Sequence, residues 1–138
     1  MNNEYTMKRF LKSIGGLHDS IPFDKEMIPI VTELNEKGYK TFACCQGHIR
    51  EDLNCRGWNG YIGFCDKYEF DKEPPLFRVG MKYHNLVDGY SEVKKGRIYY
   101  WYGSKSKKMN CAEREKERQQ WINSMIEWSK GLKSIKNN

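Results

Sequence analysis

Long apolar runs are missing from this sequence. No stretch of its 138 residues approaches the run of about 20 apolar residues that a membrane-spanning helix needs. The N-terminus also lacks the charged-then-apolar pattern of a secretory signal. Five cysteines, an odd number without the regular spacing of a disulfide scaffold, suit a reducing compartment. We therefore expect a cytoplasmic protein with no membrane partner.

Internal repeats and low-complexity segments are absent too, and a length of 138 residues suits one domain with one core. Aromatic residues are abundant, with nine Tyr, six Phe and four Trp, so we expect a core built largely from aromatic side chains. The formal net charge of +6 favours an anionic partner, a small nucleotide or nucleic acid. A solvated basic surface is the alternative.

Apolar periodicity predicts an α+β fold. A helical stripe within residues 4–14 predicts a helical arm over 1–16, and a second stripe predicts a helix at about 25–37 with Asp24 as its N-cap. Alternation predicts strands at 39–44, 60–65, 76–81 and 97–102. Since no helical pattern separates these strands, we expect an antiparallel sheet of about four strands. The N-terminal helical region and a long C-terminal helix should pack on it, followed by a flexible tail at 133–138.

The first strand ends in the most distinctive segment, residues 41–48, with a turn at Gly47. Strict alternation in this strand predicts that Thr41 and Ala43 lie on one face of the sheet and Phe42 and Cys44 on the other.

Metal binding is one hypothesis for this segment. Cys45 and His48 have chelating spacing, and Cys44, Cys55 and Cys65 could complete a tetrahedral zinc site. A second closely spaced ligand pair is missing, however. The alternative is a set of buried strand cysteines beside a turn histidine, and on that interpretation we expect neither a metal nor another cofactor.

Nucleophilic catalysis by Cys44 or Cys45, with His48 as the base, is a second hypothesis. It needs a nearby cation or helix N-terminus and an orienting carboxylate, and the sequence locates neither. Because the sequence does not identify these groups, we favour a protein without enzymatic activity.

The last helix supplies a third candidate site. Asn110 and the glutamate three residues later form a capping-box pattern, and Arg114 and Arg118 follow four residues apart on one stripe. Two arginines at this spacing repel unless an anion lies between them, and guanidinium groups bind phosphate oxygens. Lys105 and the neighbouring lysines would add positive potential. The alternative is pairing within the helix, for example between Glu115 and Arg118.

An aromatic strand lies just before this helix. Alternation places Tyr99 and Trp101 on one face and Tyr100 and Tyr102 on the other, so one pair should be core and the other could stack on a base. His48 and Arg50 are further residues that could face such a ligand.

Two resemblances bear on function. In size, in having a sheet followed by a C-terminal helix, and in Arg114 and Arg118, the chain is similar to small phage proteins of the first Thoeris anti-defence family. Members of that family sequester cyclic signalling nucleotides without degrading them, in pockets between subunits. The resemblance implies a homo-oligomer in the host cytoplasm, with the two arginines on the phosphates and Tyr100 or Trp101 near a base.

The second resemblance covers residues 24–49, which look like the opening of wybutosine-synthesizing protein 3. That family has serines and an arginine where this chain has Ala43, Cys44 and His48. It implies an RNA-modifying activity.

The leading prediction is a non-enzymatic protein that sequesters a cyclic or signalling nucleotide and so inhibits host immunity. The alternatives are an RNA- or nucleotide-modifying enzyme centred on Cys44, Cys45 and His48, and a zinc-stabilised inhibitor that binds nucleic acid or protein.

Overall fold

The structure is a computed structural model that describes residues 24–49, 58–75, 79–86, 96–103 and 108–136. The predicted arm at 1–16 and three candidate site residues, Arg50, Cys55 and Lys105, lie outside the described residues. Within the described ranges the α+β class is confirmed, with an antiparallel sheet and a long C-terminal helix.

The first helix, α1, spans Ile28–Glu36 and follows a 3-10 turn at Lys25–Met27. A proline in its first turn suits the helix start, and Gly38, at φ 100°, ends it in the left-handed conformation that glycine adopts at low cost. The buried side chain of Asn35 accepts a hydrogen bond from the Thr41 backbone N–H at 3.1 Å and donates to the Thr41 hydroxyl at 2.8 Å. This pair fixes α1 to the start of the sheet.

Four antiparallel strands form the sheet in the order β1-β2-β4-β3. They are β1 (Thr41–Cys45), β2 (Asn59–Phe64), β3 (Val79–Leu86) and β4 (Gly96–Tyr102). The third strand ends five residues later than the predicted 76–81, since the alternation of apolar and polar residues continues through Lys82, Tyr83 and His84.

A register shift between Thr41 and Ala43 corrects the predicted faces of β1. Thr41 pairs with Phe64 and Cys44 pairs with Ile62, so both lie on the face covered by the helices. Ala43 instead packs with Phe42 on the opposite face. Strict alternation was wrong here because an extra residue in one strand offsets every side chain beyond it.

The helix-covered face holds the main core. It buries Ile62 and Phe64 from β2 and Tyr99 and Trp101 from β4 against α1 and the last helix. That helix, α2, spans Cys111–Gly131 and contributes four large apolar side chains, Trp121, Ile122, Met125 and Trp128.

The start of α2 follows the sequence prediction. Asn110 accepts a hydrogen bond from the Glu113 backbone N–H at 2.8 Å, and the Glu113 carboxylate accepts one from the Asn110 N–H, so the capping box is confirmed. Among the described residues, no helix is long and apolar enough to cross a membrane.

Candidate functional site

The turn after β1 brings separate parts of the chain together. Gly47 has φ 85°, and a Cβ at that position would lie 2.8 Å from Cε3 of Trp58, so the turn needs a glycine on both grounds. Beyond Gly47, Nε2 of His48 lies 3.5 Å from Oδ2 of Asp24.

Asp24, Cys45 and His48 form a cluster in which the potential ligand atoms all lie within 4.8 Å of one another. Asp24 occupies the N-cap position of the turn before α1, but its side chain makes no capping hydrogen bond. Its Oδ2 instead accepts the backbone N–H of Gln46 at 2.8 Å. The predicted capping role is therefore replaced by a contact that holds the carboxylate beside Cys45.

The two adjacent thiols differ in their surroundings. Burial raises the pKa of Cys44 well above its ordinary value, with the charge of Asp24 adding to the effect. Burial also raises the pKa of Cys45, and so do the charge of Asp24 and a hydrogen bond to it, while the Gly47 N–H and Arg118 act in the opposite direction. Since the thiolate is the nucleophile, neither thiol has the lowered pKa that the catalytic hypothesis requires.

The predicted zinc set needs correction. Cys65 follows the far end of β2, where its N–H donates to the carbonyl of Lys40. It lies four residues beyond Tyr61, the partner of Cys45, which is about 13 Å along the strand. Cys65 therefore cannot share an ion with Cys45 and His48, because the antiparallel pairing carries it to the opposite end of β2.

Arg114 and Arg118 both lie on the buried stripe of α2 and are 4% and 5% exposed. Arg118 forms ion pairs with Glu26 and with Glu115. The pair with Glu115 lies within the helix, as in the alternative to a phosphate site that the sequence left open. Burial lowers the pKa of this guanidinium, but the hydrogen bonds and charges of Glu115 and Glu26 outweigh it and raise the pKa overall. An added phosphate would have to compete with two carboxylates.

The structure also shows on which face of the sheet each aromatic pair of β4 lies. Trp101 is 0% exposed and packs on Trp121 in the main core, with ring centroids 5.6 Å apart. Tyr100 lies on the opposite face and is partly exposed. Of the two candidates for base stacking, only Tyr100 has a ring that a ligand could reach without opening the core.

Tyr100 belongs to a line of three rings, which we call the tyrosine row: Tyr61, Tyr100 and Tyr102. Tyr61 and Tyr100 are cross-strand partners with centroids 5.7 Å apart, and Tyr100 and Tyr102 stack at 6.3 Å with an interplanar angle of 19°. All three are partly exposed. A small buried cluster of Phe42, Cys65 and Ile98 lies on this face, and Tyr61 and Tyr100 pack against it.

The tyrosine row adjoins the Asp24, Cys45 and His48 cluster, because Cys45 pairs with Tyr61 across the two strands. Burial raises the pKa of Tyr61 to about 12, with the charges of Cys45, Cys44 and Asp24 among the further causes. Sequence reasoning missed Tyr61 and Asp24 as site residues. The alternation in β2 predicts which residues of that strand share a face with Tyr61, but not which face of the sheet this is. Asp24 precedes a helical stripe, so its position in the sequence indicated a helix cap.

Comparisons of the chain with protein-family models, with curated proteins and with solved structures found no match.

Proposed function

We propose that the protein is a non-enzymatic binding protein that captures a cyclic or other signalling nucleotide on the tyrosine row. The observation that carries this proposal is the contiguous set of partly exposed rings of Tyr61, Tyr100 and Tyr102 on the sheet face opposite the helices.

Stacking is the interaction that such a row offers. A base that stacks on an aromatic side chain gains about 1–3 kcal/mol, and every base has a ring face that can stack. Antiparallel sheets with aromatic residues on one face bind unstacked bases in this way. The net charge of +6 favours an anionic ligand and raises its local concentration.

The proposal does not depend on Arg118. A phosphate that reached this side chain would have to displace Glu26 or Glu115, so we assign Arg118 to the stability of the contact between α2 and the 3-10 turn before α1. What supports the choice of a cyclic nucleotide as ligand is the part of the resemblance to the first Thoeris anti-defence family that does not involve Arg118, namely the size of the chain and a sheet followed by a C-terminal helix. In that setting the protein would lower the free concentration of a host immune signal without consuming it.

The test is titration calorimetry with cyclic mononucleotides and dinucleotides of adenine and guanine, followed by native mass spectrometry of the complex. We expect at least one ligand to bind and to be recovered unchanged after denaturation. Conversion of the ligand would indicate an enzyme instead, and the absence of binding by all of them would contradict the proposal. Single-stranded RNA serves as a competitor, and preferential binding of RNA would also contradict it.

A pair of double variants locates the site. Tyr100→Leu/Tyr102→Leu removes two rings from the row and should weaken binding at least tenfold, about 1.4 kcal/mol. Tyr100→Phe/Tyr102→Phe keeps the rings and should retain most of the affinity. Equal binding by the leucine and phenylalanine variants would remove the tyrosine row from the site.

A further inference from the structure

We propose that Asp24, Cys45 and His48 bind a transition-metal ion, with Zn²⁺ as the best fit. This inference is independent of nucleotide binding, because different side chains carry it.

The spacing of the three groups suits one small ion. Bonds of about 2.0–2.3 Å in a tetrahedral zinc site place neighbouring ligand atoms about 3.3–3.8 Å apart. The separation of 3.5 Å between Oδ2 of Asp24 and Nε2 of His48 falls in that interval. All the ligand atoms lie within 4.8 Å of one another, so closing the set around an ion requires shifts of about 1 Å, within reach of side-chain rotation.

The donor set selects the kind of metal. A thiolate and an imidazole are ligands for zinc and related transition metals, whereas magnesium and calcium prefer sites made of oxygen atoms. One carboxylate completes three protein ligands and leaves the fourth tetrahedral position to water or to a bound molecule, as in catalytic zinc sites. Among the described residues, this is the one group of three or more such side chains that is close enough to hold an ion.

Backbone groups hold two of the three ligands in place. The Gln46 N–H donates to Asp24 at 2.8 Å, and the Gly47 N–H donates to Sγ of Cys45 at 3.5 Å. Contacts of this type orient metal ligands and raise affinity. The His48 side chain is 57% exposed, so an ion can reach the cluster from solvent and be closed in by this one residue.

Metal binding is measured on the full chain after treatment with a chelator and dialysis against buffered Zn²⁺. We expect about one zinc ion per chain by elemental analysis, and a thiolate-to-metal charge-transfer band when Co²⁺ replaces Zn²⁺. A chain that remains metal-free under these conditions would overturn the proposal.

Variants distinguish this cluster from other sites. Cys45→Ser should abolish the charge-transfer band, and His48→Gln should weaken zinc binding by more than the roughly 10–100-fold that loss of a supporting contact costs. His48 is exposed on a turn, so its replacement leaves the fold intact. Cys65→Ser and Asp66→Asn, at the far end of β2, are matched controls that should bind zinc normally. Unchanged zinc binding in both Cys45→Ser and His48→Gln would place the ion elsewhere and contradict the proposal.

Discussion

Both faces of the sheet carry aromatic residues and cysteines, but the two faces differ in how far these side chains are buried. On the helix-covered face, Tyr99 and Trp101 are 3% and 0% exposed, whereas Tyr100 and Tyr102, their neighbours in β4, are partly exposed on the other. The cysteines of β1 divide in the same way, since Cys44 packs against the main core and Cys45 pairs with Tyr61. Residues adjacent in sequence therefore separate into a buried, helix-covered face and a partly exposed face, and the second is the one that we propose as the nucleotide-binding face.

The largest effect on stability should come from the helix-covered face. Trp121→Ala removes a 0% exposed side chain that packs on Trp58 and Trp101. We expect a loss of about 3–5 kcal/mol in the free energy of unfolding, measured by urea denaturation. Tyr102→Ala, on the opposite face, is the matched comparison and should lose about 1–2 kcal/mol because its ring is already partly hydrated. Equal losses would contradict the division between the faces.

Gly60→Ala tests how closely the same face is packed. A Cβ at this position would lie 2.4 Å from Cη2 of Trp121, on a ring that the core holds in place. Overpacking of this kind costs about 1–3 kcal/mol, and we expect a corresponding fall in the urea midpoint. An unchanged midpoint would show that the Trp121 ring can move aside.

Arg118→Met tests whether the arginine is structural. The change leaves Glu26 and Glu115 without their shared cation, but these carboxylates are 35% and 51% exposed and can hydrate. We expect a loss of about 1–2 kcal/mol in stability and no change in nucleotide affinity. Lys116→Met, an exposed change on the same helix, is the control. A large fall in nucleotide affinity without loss of stability would restore Arg118 to the binding site.

The smallest effect is a difference in rate between two thiols. Burial raises the pKa of Cys44 well above normal and raises that of Cys45 less, so at pH 8 less of Cys44 is thiolate. In metal-free protein, iodoacetamide should label Cys45 faster than Cys44, and both rates should rise with pH. Fragmentation of the peptide 41–50 in a mass spectrometer assigns the label. Equal rates would contradict the placement of the two thiols.

Local signals were sufficient for much of the fold. The capping box at Asn110 and the apolar stripe of α2 were recognisable in the sequence because each depends on residues three or four positions apart. The faces of β1 were not, since the irregularity after Thr41 depends on its pairing with β2. For Arg118, the partner Glu115 was among the predicted pairs, whereas Glu26 lies 92 residues away.

The candidate site was only partly predictable for the same reason. Cys45 and His48 share a short segment, and their spacing identified them. Asp24 joins them only because the turn before α1 lies beside the end of β1, and Tyr61 meets Tyr100 only through the register of β2 and β4. Contacts that depend on pairing between distant segments leave no periodic signal in the sequence.

Nucleotide binding by the sheet face opposite the helices can be tested by NMR of protein with isotope-labelled tyrosine rings, to which a cyclic nucleotide is added. We expect the ring signals of Tyr61, Tyr100 and Tyr102 to shift, whereas those of Tyr39 and Tyr68, which pack against the main core, should stay in place. Shifts confined to Tyr39 and Tyr68, or no shift in the tyrosine row at saturating ligand, would contradict it.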